Sequence, residues 1–167
     1  MEIVVTSRYD VLRKLQEAEF PFQSLISIND PGDSVPDFSY SHTGTLLPMF
    51  LYDIPEDVPG FDAPTKQQVR EIIEYAQNEF FHRNSTRMLI HCHAGISRSS
   101  AAAIIVAKTV GLDVPAFISQ LCETNNIHPN PRMISLAGEF FGNDFFEQVR
   151  EQLESSLEWG WHHGQEE

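Results

Sequence analysis

Residues 87–110 constrain the fold of this chain more than any other segment, because they read as a buried strand that runs into a helix. Met88–Ile90 is a short apolar run with the length of a buried strand, and the composition of 98–110 is helical. Cys92 stands between the two, where the strand turns into the helix. The chain is therefore expected to build a site at this junction.

The turn after Cys92 has the composition of an anion-binding loop. A strand-to-helix turn aims several backbone N–H groups and the positive end of a helix at one point. Gly95 allows the backbone to curl inward where a side chain would block it. The planar guanidinium of Arg98 suits two oxygens of one phosphate, which a lysine does not. The loop is thus predicted to hold a doubly charged oxyanion.

Cys92 stands at the start of this predicted loop. Thiols beside a helix N-terminus and a cation ionise more readily than free thiols, so we expect a thiolate at neutral pH. A thiolate below a bound phosphoester is placed for in-line attack on phosphorus, which gives a cysteinyl phosphate that water removes. Ser99 is expected to donate a hydrogen bond to the regenerated thiolate, and His91 to order the loop rather than act as a base.

A nine-residue segment resembles the His-Cys-x5-Arg-Ser/Thr signature of the cysteine-dependent protein tyrosine phosphatase superfamily; it reads His91-Cys92-x-x-Gly95-x-x-Arg98-Ser99. The run Ala-Gly-Ile-Ser-Arg-Ser at 94–99 is especially similar to the dual-specificity branch. The resemblance implies a twisted sheet of about four to five strands, with the cysteine loop at the end of a central strand. The substrate-binding residues it implies are His93, Ala94, Gly95, Ile96, Ser97 and Arg98.

Two other interpretations of the cysteine compete with this one. Free cysteines are usually buried core thiols, and Arg98 would then be a surface cation. That interpretation leaves Gly95, Arg98 and Ser99 unexplained together. A rhodanese-like or arsenate-reducing domain also uses a cysteine in an anion loop, but neither is expected to carry the arginine-serine ending.

The resemblance further implies a proton donor for the leaving group, namely an aspartate on a mobile loop upstream of the cysteine. Residues 53–64 have the composition of such a loop, with three prolines, one glycine and four acidic residues. The candidates are Asp53, Asp57 and Asp62. We favour Asp53, which directly follows an apolar strand and is anchored near the strand ends. The spacings of the other two are closer to those of most relatives, and Asp62 is also placed to interact with the next helix N-terminus.

Asn130 and Cys122 each have two interpretations. Asn130 is similar to the asparagine before a late helix of dual-specificity phosphatases, which implies that it braces the cysteine loop or orients the hydrolytic water; an ordinary helix cap is the alternative. Cys122 either traps an oxidised Cys92 as a disulfide or is a core residue.

We predict no metal and no cofactor, because the other histidines considered lack companion ligands at suitable spacing. These are His82, His162 and His163.

The order of elements predicts an α/β, three-layer sandwich with a small, mostly parallel, twisted central sheet flanked by helices. The predicted strands are 3–5, 24–28, 45–52 and 88–90, and Pro48 indicates an edge strand or a bulge in the third. Ser7 is expected to cap the first helix, with Asp10 three residues on. Because ligands bind at the carboxyl ends of parallel strands, the position of Cys92 agrees with a site there. We expect one domain, residues 1–158, and a flexible tail, 159–167.

Composition narrows the cellular setting. The chain has 167 residues, two cysteines and no run of eighteen apolar residues or leader-like start, so we expect a soluble cytoplasmic protein in a reducing compartment, without a membrane partner. The formal net charge of −13 argues against nucleic acid as a partner. It also implies that the loop itself holds the substrate anion against an unfavourable background field.

These observations predict a phosphomonoester hydrolase, most like a protein-tyrosine or dual-specificity phosphatase, that acts on a phosphorylated protein or small phosphoester. Phosphotyrosine is the first substrate expected. Loop residues 93–97 contain no lysine, which disfavours a phosphoinositide, although a phosphoinositide or nucleotide phosphatase is one alternative. The other alternative is a pseudophosphatase that binds phosphorylated ligands without hydrolysing them. The sequence gives no indication of the oligomeric state.

Overall fold

Four parallel strands form the centre of the fold, in a computed structural model that describes residues 1–163 and their side chains up to residue 156. The strands are β1 (Glu2–Ser7), β2 (Ser24–Asn29), β3 (Thr45–Phe50) and β4 (Arg87–Cys92). The helices are α1 (Val11–Glu17), α2 (Lys66–Gln77), α3 (Arg98–Thr109), α4 (Val114–Thr124), α5 (Pro131–Phe141) and α6 (Asp144–His163), and a π-helical turn, Asn78–His82, continues α2.

The strand order β1-β4-β2-β3 places the cysteine strand inside the sheet. In the parallel register, Ser7 lies opposite Cys92 on one side, and Ser27 lies opposite His91 on the other. Pro48 lies on β3, which is an edge strand, so its missing N–H removes no bond to an outer neighbour. The predicted α/β fold with a central parallel sheet is confirmed, with four strands.

The two faces of the sheet bury different clusters of side chains. On β4, Met88, Ile90 and Cys92 belong to the larger cluster, which the helices after β3 complete, whereas Leu89 points to the other face. This alternation follows from the two-residue period of a strand. The smaller cluster contains residues of α1, of β2 and of the segments before β2 and β3: Val11, Leu15, Phe22, Leu25 and Phe38. Helices therefore cover both faces, as the three-layer prediction requires.

Helix α3 is buried on all sides. Every residue from Arg98 to Ala107 is buried, including the small and branched apolar run 101–107. A helix that is apolar all round belongs in a protein interior. Because α3 begins at Arg98, this packing fixes the helix N-terminus directly behind the cysteine loop.

Two predicted boundaries differ in the structure. Ser7 is not the N-cap of α1, because it pairs with Cys92 in β1 and the helix begins at Val11 after Asp10. The predicted contact with Asp10 is nevertheless present, since the Ser7 hydroxyl accepts from the N–H of Asp10 at 3.2 Å. The last helix extends past residue 158 to His163, whereas residues 164–167 lie outside the described part. The flexibility of 159–167 therefore stays a prediction. Among the described residues, no helix has the length and apolar character needed to cross a membrane.

Candidate active site

The loop between β4 and α3 curls tightly against the end of β1. Gly95 has a φ of +77°, a conformation that side chains rarely adopt. A Cβ atom at this position would lie 2.7 Å from the carbonyl carbon of Thr6 and 2.8 Å from the nitrogen of Ser7. The structure therefore agrees with the prediction that a side chain would block the loop at this position, and the blocking atoms belong to the backbone of β1.

The sulfur of Cys92 lies at the floor of this loop. Cys92 is 2% exposed, and its Sγ accepts a hydrogen bond from the backbone N–H of Gly95 at 3.3 Å. The hydroxyl of Ser99 lies 3.1 Å from the same sulfur. Donors that converge on a sulfur stabilise a thiolate more than a thiol. Ser99 thus has the position that its predicted role requires, although the role itself stays a prediction.

Arg98 lies beside the loop rather than in solvent. It is 4% exposed, and its Nη1 donates to the carbonyl oxygen of Leu51 at 2.7 Å and to Oδ1 of Asp30 at 2.5 Å. The Nε of the same guanidinium is buried without a hydrogen-bond partner among the described residues. Buried N–H groups rarely remain unpaired in native proteins, and leaving one unpaired costs about 1–3 kcal/mol. One edge of the guanidinium is anchored to protein, and a donor remains for a bound anion.

His91 is enclosed between two strands and Phe38. Its Nε2 lies 2.7 Å from the hydroxyl of Ser27, and its Nδ1 lies 3.4 Å from the carbonyl oxygen of Cys92. Because a carbonyl only accepts hydrogen bonds, Nδ1 carries the proton and Nε2 accepts from Ser27. Burial lowers the pKa of His91 to about 4, so the ring is neutral at pH 7. Both ring nitrogens are engaged, which fits the predicted ordering role better than that of a base.

His93 lies at the exposed rim of the loop. Its Nε2 lies 2.9 Å from the hydroxyl of Tyr9, and the two rings pack edge to face. His93, Asp30 and Asp33 also place one ligand atom each within 4.8 Å of one another. Asp30 pairs with Arg98, and the carboxylate of Asp33 lies 3.5 Å from Nη1 of Arg8. Because both carboxylates have cationic partners, we assign this group no metal.

Of the three candidate aspartates, Asp53 contacts the cysteine loop. Its Oδ1 accepts hydrogen bonds from the hydroxyl of Ser97 at 2.6 Å and from the amide Nδ2 of Asn130 at 2.8 Å. Its Oδ2 takes part in neither bond. The carboxylate of Asp57 is 86% exposed and pairs with Arg132 at 2.8 Å.

Asp62 is exposed, and its backbone carbonyl, rather than its carboxylate, accepts a hydrogen bond from the N–H of Tyr52. The contacts that join the upstream loop to Ser97 therefore run through Asp53. These positions favour Asp53 as the donor without testing its role.

Asn130 joins three parts of the site. Its Oδ1 accepts from the N–H of Met133, which makes it the N-cap of α5, and its backbone N–H donates to the carbonyl of Ser97 at 3.3 Å. With the bond to Asp53, the residue is both a helix cap and a brace between loops. The two interpretations offered by the sequence thus coexist in the geometry, and a role in orienting water stays a prediction.

Cys122 lies on α4 and packs partly buried against the main core. Burial raises the pKa of its thiol, which makes it a poor nucleophile at neutral pH. Both cysteines are free. The packing favours the core interpretation, and the redox role stays untested.

Three residues of the site were missed by sequence reasoning: Arg8, Asn29 and Asp30. Asn29 and Asp30 stand at the carboxyl end of β2, which is the available signal, since polar residues there point at the ligand edge of a parallel sheet. Their sequence neighbours, Pro31 and Gly32, gave the segment the composition of a simple turn. Arg132 holds the upstream loop, donating from Nε to the carbonyl of Pro64 and from Nη2 to Asp57.

Comparisons with known proteins agree with this geometry at the level of the fold. No protein-family model matches the chain, and no curated protein matches it in sequence. Among solved structures, human DUSP28 is similar with a TM-score of 0.59 and 15% identity, over 90% of this chain and 94% of that one. DUSP15 is similar with a TM-score of 0.57 and 24% identity, over 92% and 90%.

A third similar structure is the PTP-2 phosphatase of Cydia pomonella, with a TM-score of 0.56 and 20% identity, over 83% of this chain and 85% of that one. All three are similar along most of their length, so the likeness concerns the whole domain rather than the cysteine loop alone. The fold that the resemblance at 91–99 implies is thereby confirmed, and the chain has the fold of tyrosine and dual-specificity phosphatases.

Proposed function

We propose that the chain is a metal-independent phosphomonoester hydrolase that works through a phosphocysteine, most like a protein-tyrosine or dual-specificity phosphatase. The observation that carries the proposal is the buried Nε of Arg98, which has no partner among the described residues. A phosphoryl oxygen supplies the acceptor that this donor needs. Arg98 follows the loop that begins at Cys92, so the unpaired donor and the sulfur belong to one cradle.

The first chemical step forms a sulfur–phosphorus bond. The Cys92 thiolate attacks phosphorus as the bond from phosphorus to the ester oxygen breaks. Asp53 gives a proton from Oδ2 to the departing oxygen, so that an alcohol or phenol leaves rather than an alkoxide or phenoxide. Arg98 and the loop N–H groups hold the charge that develops on the phosphoryl oxygens. The contact between Asp53 and Ser97 supports this assignment, since it fixes the carboxyl group next to the cradle.

The second step returns the free enzyme. A water molecule attacks phosphorus and gives its proton to Asp53, and the sulfur–phosphorus bond breaks to release phosphate and the thiolate. The Ser99 hydroxyl, 3.1 Å from the sulfur, stabilises the thiolate as it leaves. Asn130, bonded to Asp53, holds the carboxylate that receives the proton.

We assign the chain to phosphorylated protein substrates, with phosphotyrosine first. The loop side chains at 93–97 include no lysine for the additional phosphates of an inositol lipid. The thiolate nucleophile requires a reducing compartment, and we assign the protein to the cytoplasm.

Release of phosphate from para-nitrophenyl phosphate tests the proposal. The wild-type chain is expected to hydrolyse it, and Cys92→Ser to be slower by more than about 10³-fold because it lacks the nucleophile. Cys122→Ser is the matched control and should keep the wild-type rate. Equal rates for wild type and Cys92→Ser would overturn the proposal. A wild-type chain that binds a phosphotyrosine peptide but releases no phosphate would instead be a phosphate-binding pseudophosphatase.

A further inference from the structure

Arg8 connects the cysteine loop to the segment that follows β2. It comes directly after β1, and its backbone N–H donates to the carbonyl of His93 at 3.1 Å. Its side chain extends to the other side of the site, where Nη1 donates to Oδ1 of Asn29 at 3.0 Å and Nη2 donates to the carbonyl of Ser34 at 2.8 Å. One residue thus contacts both the start of the cysteine loop and the end of β2, which β4 separates from β1.

Asn29 is the buried centre of this connection. It is 2% exposed, and its amide Nδ2 donates to the carbonyl and the hydroxyl of Ser27 at 3.0 and 3.1 Å. Its backbone carbonyl accepts from the N–H of Leu51 at 3.1 Å. The remaining side-chain acceptor, Oδ1, is the atom that Arg8 binds. Arg8 therefore completes the hydrogen bonding of a buried amide, and its loss leaves that acceptor without its donor.

Both protein anchors of Arg98 are directly linked to the backbone of Asn29. Asp30, which accepts from Nη1 of Arg98, is the next residue in the chain. Leu51, whose carbonyl accepts from the same nitrogen, is bonded to Asn29 through its own N–H. A displacement of the Asn29 backbone therefore shifts both acceptors, and the Arg98 guanidinium bonded to them shifts as well.

We propose that Arg8, acting through Asn29, is a positioning residue that sets the orientation of the Arg98 guanidinium toward a bound phosphoryl group. The inference rests on the proposed function only for its catalytic readout, because phosphate binding alone reports the same orientation. Arg8 contacts no reacting atom, and its ion pair with Asp33 is long, at 3.5 Å, and partly exposed. The hydrogen bond from the charged guanidinium to the neutral amide of Asn29, rather than the ion pair, carries the effect.

A double-mutant cycle between Arg8 and Arg98 tests the proposal. Arg8→Gln, Arg98→Lys and the double variant are compared with the wild type at a temperature where each is folded. Two quantities are measured: kcat and KM for an aryl phosphate, and the dissociation constant of inorganic phosphate. Arg8→Gln alone is expected to lower kcat by about tenfold to a hundredfold, as small displacements of catalytic groups do. It should also weaken phosphate binding by about tenfold, since Arg98 is the group that phosphate contacts.

In the Arg98→Lys background, which lacks the fork-shaped guanidinium, Arg8→Gln should change either quantity by less than about twofold, because coupled positions are not additive. Arg13→Gln, which removes an exposed arginine of α1, is the control and should leave both quantities unchanged. Equal effects of Arg8→Gln in the two backgrounds would overturn the proposal. So would a lowered melting temperature with phosphate affinity unchanged.

Arg8→Lys serves if Arg8→Gln fails to fold. A lysine keeps the charge but reaches only one of the two acceptors, so it should give a smaller loss, about threefold to tenfold, with the same dependence on Arg98. A wild-type rate and affinity in Arg8→Lys would overturn the proposal. If the wild-type chain hydrolyses no phosphoester, the proposed function fails, and the phosphate-binding cycle still decides the role of Arg8.

Discussion

The hydroxyl of Ser97 lies 2.6 Å from Oδ1 of Asp53, so a hydrogen bond joins the cysteine loop to the loop upstream of it. Ser97 immediately precedes α3 and Asp53 follows β3, and the two are brought together because the carboxyl ends of parallel strands meet at one edge of a sheet. This bond holds the carboxyl group of Asp53 beside the cysteine loop, as its proposed role of general acid requires.

Asp53→Asn is expected to lower turnover of an alkyl phosphate by about 100-fold or more, which is the usual contribution of a general acid. Turnover of an aryl phosphate with a good leaving group should fall much less, because such a group departs without a proton. Steady-state rates on the two substrates measure the difference. Asp57→Asn and Asp62→Asn are the matched controls. If all three variants hydrolyse the alkyl phosphate at the wild-type rate, none of these residues is the acid.

Asn130→Ser separates the two functions of the asparagine. A serine still caps a helix, so the free energy of unfolding should change by less than about 0.5 kcal/mol from the cap itself. It lacks the amide that holds Asp53, so kcat on an alkyl phosphate should fall, by about tenfold if Asp53 is released from its position. Urea unfolding and steady-state kinetics measure the two effects.

Asp113→Ala is the control for Asn130→Ser, since Asp113 caps α4 through the N–H of Ala116, away from the site. Loss of that cap should lower stability by about 1 kcal/mol with kcat unchanged. The opposite result for Asn130→Ser, a loss of stability without a change in kcat, would show that the residue is only a cap.

The strand–loop–helix unit was predictable because its signals are local. An apolar run, a glycine in the loop and an alanine-rich helix occupy consecutive positions, and each fixes its own backbone. The network of Arg8, Asn29 and Asp30 was not predictable, because it depends on the register between β2 and β4. The same reason explains why Ser7 is not the N-cap of α1: its signal is local and its contact with Asp10 forms, but pairing with β4 keeps the residue in a strand.

Gly95→Ala tests how closely the loop packs on β1. The new Cβ would meet backbone atoms of Thr6 and Ser7 below 3 Å and would also require a positive φ. The left-handed conformation alone costs about 1–2 kcal/mol, and the backbone clash should raise the loss of unfolding free energy above about 3 kcal/mol. Gly111→Ala is the matched control, since Gly111 has a φ of +80° but no atom within 4 Å of the added Cβ. In urea denaturation, Gly111→Ala should lose only the about 1–2 kcal/mol of unfolding free energy that the left-handed conformation costs.

The burial of His91 predicts a dependence of stability on pH. Its pKa is about 4 in the folded chain and about 6.5 in an unfolded one, so the unfolded state binds more protons between these values. Stability is therefore complete above pH 6.5 and falls as the pH falls toward 4, by about 2 kcal/mol between pH 7 and pH 5. Carboxylates whose pKa is lowered in the folded chain, such as Glu2 and Asp37, change the stability at lower pH than His91 does.

The comparison that isolates this effect is His91→Gln, which retains a polar side chain between Ser27 and the backbone but does not titrate. Its absolute stability is expected to be lower, because the amide does not reproduce the shape of a buried ring. The informative quantity is the change in unfolding free energy from pH 7 to pH 5, measured by urea denaturation of both proteins. That change should be smaller in His91→Gln by about 2 kcal/mol. The same change in both proteins would mean that His91 is protonated in the folded state as readily as in water, and that its ring does not act as the neutral acceptor of the Ser27 hydroxyl.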